Sequence, residues 1–100
     1  GSFLKAMKFI LKKMRKVKNR RAFFVCSLSY KEKKGKMITV EGKIFGEISK
    51  SVKGKNGFGY DPIFIPSNKK ITFGQMANKE KIKMDHRFIA FKKLKKKINI

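Results

Sequence analysis

Tryptophan is absent, and cysteine and histidine occur once each, as Cys26 and His86. A lone thiol makes no internal disulfide, and a single Cys with a single His cannot furnish a zinc site. Carboxylates are scarce: Glu32, Glu41, Glu47, Asp61, Glu80 and Asp85 are the only six, and none forms an obvious paired metal site. No apolar run approaches the ~18 residues of a membrane-spanning helix, and no signal-peptide pattern opens the chain. With only one cysteine, a reducing compartment is implied, and a cytoplasmic protein is expected. Proline is limited to Pro62 and Pro66, and there are no internal repeats.

Positive charge is abundant. Lys and Arg number 28 in 100 residues, giving a formal charge of +22. A polyanion partner is one reading and compositional bias another. The excess is nearly all lysine, spread along the chain, and the arginines are only Arg15, Arg20, Arg21 and Arg87. Sequence-specific DNA readers favour the bidentate arginine fork, so bias or general polyanion attraction is favoured over specific DNA recognition. The length suits one small domain, and a 41% hydrophobic content is enough for a core. Gly1-Ser2 reads as a cloning remnant outside the fold, leaving a domain over 3–100.

Phe3, Leu4, Met7, Ile10, Leu11, Met14 and Val17 recur at helical steps with lysines between them, which predicts an amphipathic helix over 3–18. A helix covering a sheet is favoured over a basic membrane-surface or calmodulin-target helix, because strands follow directly. Residues 22–30 are aromatic and β-rich and predict a strand. Phe24, Cys26, Leu28 and Tyr30 share one face, while Phe23 and Val25 give the other face an apolar share, so both sides are expected to be partly buried. A charged turn around Gly35 leads to a second strand over 37–49, bent or bulged at Gly42 or Gly46, completing a hairpin. A basic Gly-rich loop over 50–57 precedes a short strand bracketed by Pro62 and Pro66. A turn at 67–70 follows, then an irregular piece at 72–76. Asn78 is expected to cap a helical turn running through Met84. Asp85 is expected to cap the last helix, with Phe88, Phe91, Leu94 and Ile98 inward and Lys95–Lys97 at its C-terminus.

The most selective pattern is a succession of short blocks. Asn56-Gly57-Phe58-Gly59-Tyr60-Asp61-Pro62-Ile63-Phe64 is followed by Thr72-Phe73-Gly74-Gln75-Met76, then Glu80-Lys81, then His86-Arg87. The Gly-rich loop by itself is a weak phosphate-binding hint that fits neither the P-loop nor the dinucleotide fingerprint, whereas the succession as a whole is far more selective. In order and spacing it resembles the inosine/xanthosine triphosphate pyrophosphatase family, and the resemblance extends back through the 22–30 strand and the helix before it.

That resemblance implies an α/β (mixed α+β) fold: an N-terminal helix, a curved sheet of three or more strands and a C-terminal helix, forming one lobe of a two-lobed pyrophosphatase. The implied activity is magnesium-dependent hydrolysis of non-standard purine nucleoside triphosphates (ITP, dITP, XTP) to the monophosphate and pyrophosphate. The implied substrate-binding residues are Phe58, Gly59, Tyr60, Asp61, Lys81, His86 and Arg87. Phe58 would stack on the purine, and Asp61, Lys81, His86 and Arg87 would line the base pocket. Each residue also has a plainer reading. Phe58 fits a core, Tyr60 packing, Asp61 a turn before proline, His86 a structural histidine, and Arg87 a partner for Asp85 or Glu80; only as a set do they favour a site.

The resemblance covers the family's C-terminal half. The first phosphate loop, the acidic Mg2+ ligands and the water-activating carboxylate belong to its other half, so no catalytic or metal-binding residue is expected here. The protein partner is expected to be a second copy or a companion half, and nucleic-acid binding, if any, to be non-specific. A base-recognition lobe active only with the other half stands beside a catalytically inactive nucleotide- or polyanion-binding fragment and a remnant without function. Asp85 stands where the family usually has Ser; either residue caps a helix, but the carboxylate sets a negative charge beside His86 and Arg87.

Overall fold

The computed structural model describes residues 2–98. In chain order the elements are α1 (Ser2–Lys13), β1 (Arg21–Lys31), β2 (Met37–Ile48), a 3-10 turn (Asp61–Ile63), β3 (Phe64–Pro66), α2 (Asn78–Lys81) and α3 (His86–Ile98). The three strands form one antiparallel sheet in the order β1-β2-β3, so the expected mixed α/β arrangement is the one observed. Gly1 lies outside the described residues, whereas Ser2 opens α1 one position before the predicted start.

β1 and β2 pair without interruption from Arg21↔Glu47 to Lys31↔Met37, so there is no bulge at Gly42 or Gly46. These glycines serve close approach instead. A Cβ on Gly42 would run into the backbone of His86 and Ala90 in α3, and one on Gly46 into the backbone of β3. The missing side chain at Gly42 lets α3 lie directly on the sheet. Ala90 is therefore the fully buried residue of α3, flanked by half-buried His86, Ile89 and Leu94. Phe91, expected to point inward, is 51% exposed, because the helix is turned to bring its smallest side chain to the glycine.

α3, and not α1, covers the sheet. The helix α1 ends at Lys13, short of the predicted Val17–Lys18. Beyond it the chain tightens into turns, with the amide of Val17 donating to the Met14 carbonyl at 3.0 Å. Arg20 fixes this exit. Its guanidinium donates to the carbonyls of Met14 (2.7 Å), Ile48 (2.9 Å) and Ser49 (2.7 Å), clasping the end of α1 to the end of β2. Such charge-assisted bonds from one rigid fork are what arginine supplies and lysine does not. On α1 Met7 is buried, while Phe3, Leu4 and Phe9 are exposed.

The core lies between the even-numbered face of β1, β2, β3 and the segment from Thr72 to Met76. Ile44, Phe64, Phe73 and Met76 form its centre, with Ala22, Phe24, Met84 and Ile89 packed around them. Phe24 stacks on Phe64 with ring centroids 4.2 Å apart, and Phe64 on Phe73 at 5.5 Å. The opposite face of the hairpin is open, contrary to the expectation of two partly buried sides: Phe23, Val25 and Phe45 are each about half exposed. No described helix is long and apolar enough to cross a membrane.

A candidate base-binding pocket

The loop after β2, the helix α2 and the first turn of α3 converge. The loop is fastened to the segment beyond β3. Lys53 N–H donates to the Pro62 carbonyl (2.9 Å), Asn56 N–H to the Gly74 carbonyl (2.9 Å), and the Asn56 side-chain amide to the Met76 carbonyl (3.0 Å). Gly57 has φ +73°, and a Cβ there would collide with the Asp61 carboxylate, so glycine serves both the turn and the space. The Asp61 carboxylate folds back to accept the Phe58 amide at 3.0 Å. This bond presents the Phe58 ring outward, 58% exposed.

Asp61 is buried, and the same oxygen, Oδ2, accepts the Lys81 ammonium at 2.7 Å. Lys81 is itself 3% exposed, an unusual position for lysine that requires its charge to be matched. A second carboxylate helps: Asp85 Oδ2 lies 3.8 Å from Lys81 Nζ, while Asp85 Oδ1 accepts the Phe88 amide at 2.9 Å and caps α3. The Asp85 cap is as expected. Asn78, by contrast, lies inside the first turn of α2, with Ala77 at the N-cap position and no side-chain cap.

Two cations border the Phe58 ring. Lys81 Nζ is 4.5 Å from its centroid, and the Arg87 guanidinium carbon 3.9 Å. Arg87 is exposed and pairs with neither Asp85 nor Glu80. Gly57, Phe58, Lys81, Asp85, Arg87, Phe88 and Phe91, with Asn78 and Ile82, line a pocket of about 500 Å³. This is a size that admits a small ligand. A larger hollow of about 730 Å³, lined from all three strands by residues such as Arg21, Glu47 and Ile65 and by Lys70 beyond them, shares no residue with this pocket.

Of the residues singled out in the sequence, Phe58, Lys81 and Arg87 meet in this pocket, with Asp61 beneath as their brace. His86, Tyr60 and Gly59 do not line it. His86 turns away, its ring 5.1 Å from that of Phe24, because the first turn of α3 points Arg87 to the pocket and its neighbour to the core. His86 Nδ1 is buried without a hydrogen-bond partner. Desolvation lowers its pKa below the usual 6.5; Asp85 opposes the shift, and Arg87 and Lys81 add to it. Tyr60 packs edge-on against Phe3 with centroids 5.5 Å apart. Phe88 and Phe91, read from the sequence as core, are instead pocket walls; their helical offset from Asp85 and Arg87 is the signal that would have found them.

Among the described residues no cluster of three or more His, Cys, Asp or Glu side chains could hold a metal ion. The two carboxylates at the pocket are both turned to Lys81, so these residues do not fit a magnesium ion and no step is derived through one.

A three-stranded antiparallel sheet covered by one helix, with a cation-bordered aromatic ring at the junction of loop and helix, defines a mixed α/β protein. The chain belongs to the Ham1 family, whose model matches residues 1–97. It is 45% identical over 89 residues to a dITP/XTP pyrophosphatase of Borreliella burgdorferi, covering 87% of this chain and 44% of that protein. With the dITP/XTP pyrophosphatase of Saccharolobus solfataricus the identity is 43% over 88 residues, covering 87% and 45%. The Ham1 protein of Staphylococcus aureus superposes with a TM-score of 0.91 at 31% identity, over 97% of this chain and 50% of that one. The chain thus spans about half the length of the relatives it matches.

Proposed function

We propose that this chain is the purine-recognising part of a nucleoside triphosphate pyrophosphatase, which hydrolyses non-standard purine nucleoside triphosphates to the monophosphate and pyrophosphate. The single observation that carries the reading is the convergence of Lys81 and Arg87 on the exposed ring of Phe58, with Lys81 held from below by Asp61. A base stacked on Phe58 would meet donors only, since ammonium and guanidinium groups carry no acceptor. Hypoxanthine and xanthine present a ring carbonyl where adenine presents an amino group. The carbonyl finds its donors, while the amino group is left facing a cation, and that unpaired contact supplies the discrimination. Arg87 now covers the Phe58 ring, so a base takes the place of the guanidinium on the ring and meets its N–H groups at the edge.

Hydrolysis of the phosphoanhydride needs a cation on the phosphates and an activated water. In this proposal magnesium and the carboxylates that hold it come from the portion of the relatives outside the matched half, whether in the same polypeptide or in a companion. The test has two arms. The chain by itself should bind inosine monophosphate in preference to adenosine monophosphate by calorimetry. Phe58→Ala should weaken that binding by ~1–3 kcal/mol, the usual contribution of one stacked base, and Arg87→Ala should erase the preference. The chain alone should release no pyrophosphate from inosine triphosphate and magnesium. Equal affinity for the two monophosphates, or turnover abolished by Arg87→Ala, would overturn the reading.

A second reading, polyanion binding, has its own observation. A groove of about 530 Å³ between the end of α1 and the loop after β2 is lined by Arg15, Lys16, Lys18, Arg20 and Lys50 and by no carboxylate. Its ligand would be a phosphate chain gripped without regard to sequence.

A further inference from the structure

Asp85 does more at the pocket than start a helix. One oxygen caps α3 through the Phe88 amide at 2.9 Å, and the other faces the Lys81 ammonium at 3.8 Å. Like Asp61 and Lys81, it is almost fully buried. A capping hydroxyl would serve the helix equally well, so the cap does not explain the charge. What the charge does is set a second carboxylate against the Lys81 ammonium. The pocket is lined by Lys81, Asp85 and Arg87, Asp61 braces Lys81 from beneath, and the Lys92 and Lys95 ammonium groups lie 5.4 and 5.8 Å from the rings of its Phe88 and Phe91 walls. His86, the remaining titratable group in this turn, is held towards its neutral form by burial. In a chain of charge +22, Asp85 is the one carboxylate that lines this pocket.

We infer that Asp85 sets the base preference of the pocket, excluding an anionic purine and selecting a neutral keto purine. The inference rests on the base-pocket reading above and deepens it. The candidate bases differ in the property that matters. The ring of xanthine loses a proton near neutrality and becomes an anion, whereas hypoxanthine stays neutral until the medium is more alkaline. Lys81, already matched by two carboxylates, attracts an anionic ring little, and Asp85 repels it. Arg87 supplies hydrogen bonds to either base. The preferred substrate class is therefore the hypoxanthine nucleotide, and the preference over xanthine widens as xanthine ionises.

The test uses the full chain with inosine monophosphate and xanthosine monophosphate as probes. Affinities are measured by calorimetry in mild acid, where both bases are neutral, and in mild alkali, where xanthine alone has ionised. The unaltered chain should favour inosine monophosphate more strongly in alkali. Asp85→Ser keeps a helix cap and removes the charge, and Asp85→Asn keeps the shape. Both should narrow the alkaline preference by at least about fivefold, the effect of one charge ~4 Å away when screened as in bulk water, and leave the acid ratio unchanged. Glu80→Gln removes a carboxylate that does not line the pocket and should alter neither ratio. A preference unchanged in alkali, or shifted equally at both pH values, overturns the role of Asp85 while the pocket reading stands. Failure of both nucleotides to bind in mild acid overturns both.

Discussion

His86 shows how far two neighbouring side chains can part company. Its neighbour Arg87 reaches the pocket, but the helix turns the imidazole onto Phe24, where Nδ1 is buried without a partner. Burial disfavours the cation and lowers the folded-state pKa below 6.5, the value the unfolded chain keeps. Between the lowered value and 6.5 the unfolded chain therefore binds the extra proton, and stability rises with pH through that window. The contribution is present in full above the unfolded value and is lost as pH falls through the folded one. Thermal melts should show the midpoint falling on acidification below about pH 6.5, and His86→Phe should flatten that part of the profile. An unchanged slope in the variant would mean that another group carries the dependence. The same turn explains what sequence could and could not reveal. The order of Phe58, Lys81 and Arg87 marked residues that converge in space, but which of two adjacent side chains faces a cavity is decided by helix rotation, and that depends on packing far away in sequence.

At the scale of elements, the pattern of residues made the hairpin, the short strand before Pro66 and the last helix legible. Alternation fixed the hairpin, proline the end of the short strand, and Asp85 the start of the helix. What misled was the role of each element. The apolar stripe of α1 is the stronger one on paper, yet α3 covers the sheet, because Gly42 opens a place for a helix backbone and Ala90 fits it. Periodicity reports that a helix has an apolar side; it does not report which surface has room for it. The two strand glycines looked like bulge signals for the same reason: one missing side chain permits either a kink or a close neighbour, and only the neighbour decides. The expected consequence is sharp. Gly42→Ala puts a methyl group into the α3 backbone and should destabilise the chain by about 1–3 kcal/mol or more, in the range of overpacked cores, with a matching drop in the thermal midpoint. A midpoint within a degree or so of the parent would show that α3 does not sit against that strand.

For the molecule as a whole, two features stand apart from the pocket. The outer side of the hairpin leaves Phe23, Val25 and Phe45 half exposed, and Phe23 and Phe45 lie with ring centroids 5.6 Å apart. The net charge is far from zero, and the groove by Arg15 and Lys50 concentrates part of it. Charge of this size draws polyanions over the whole surface, and released counterions make such binding steeply salt-dependent. Single-stranded DNA of unrelated sequences should bind with similar affinities that fall together as salt is raised. Changing Arg15, Lys16, Lys18 and Lys50 to Gln should weaken binding more than changing four lysines of α3. Equal losses from the two sets would assign the attraction to overall charge and remove the groove from consideration, and a strong preference for one sequence would contradict the phosphate-only account.

One oxygen of Asp61 carries two duties, steadying the amide of Phe58 and holding the tip of Lys81. A visitor that draws the lysine towards itself therefore tugs on the tether of the aromatic platform it is resting upon. In the proposed reading, occupancy and loop stiffness are thus geared together, so a firm grip at the edge of the base is bought with some slack beneath its face.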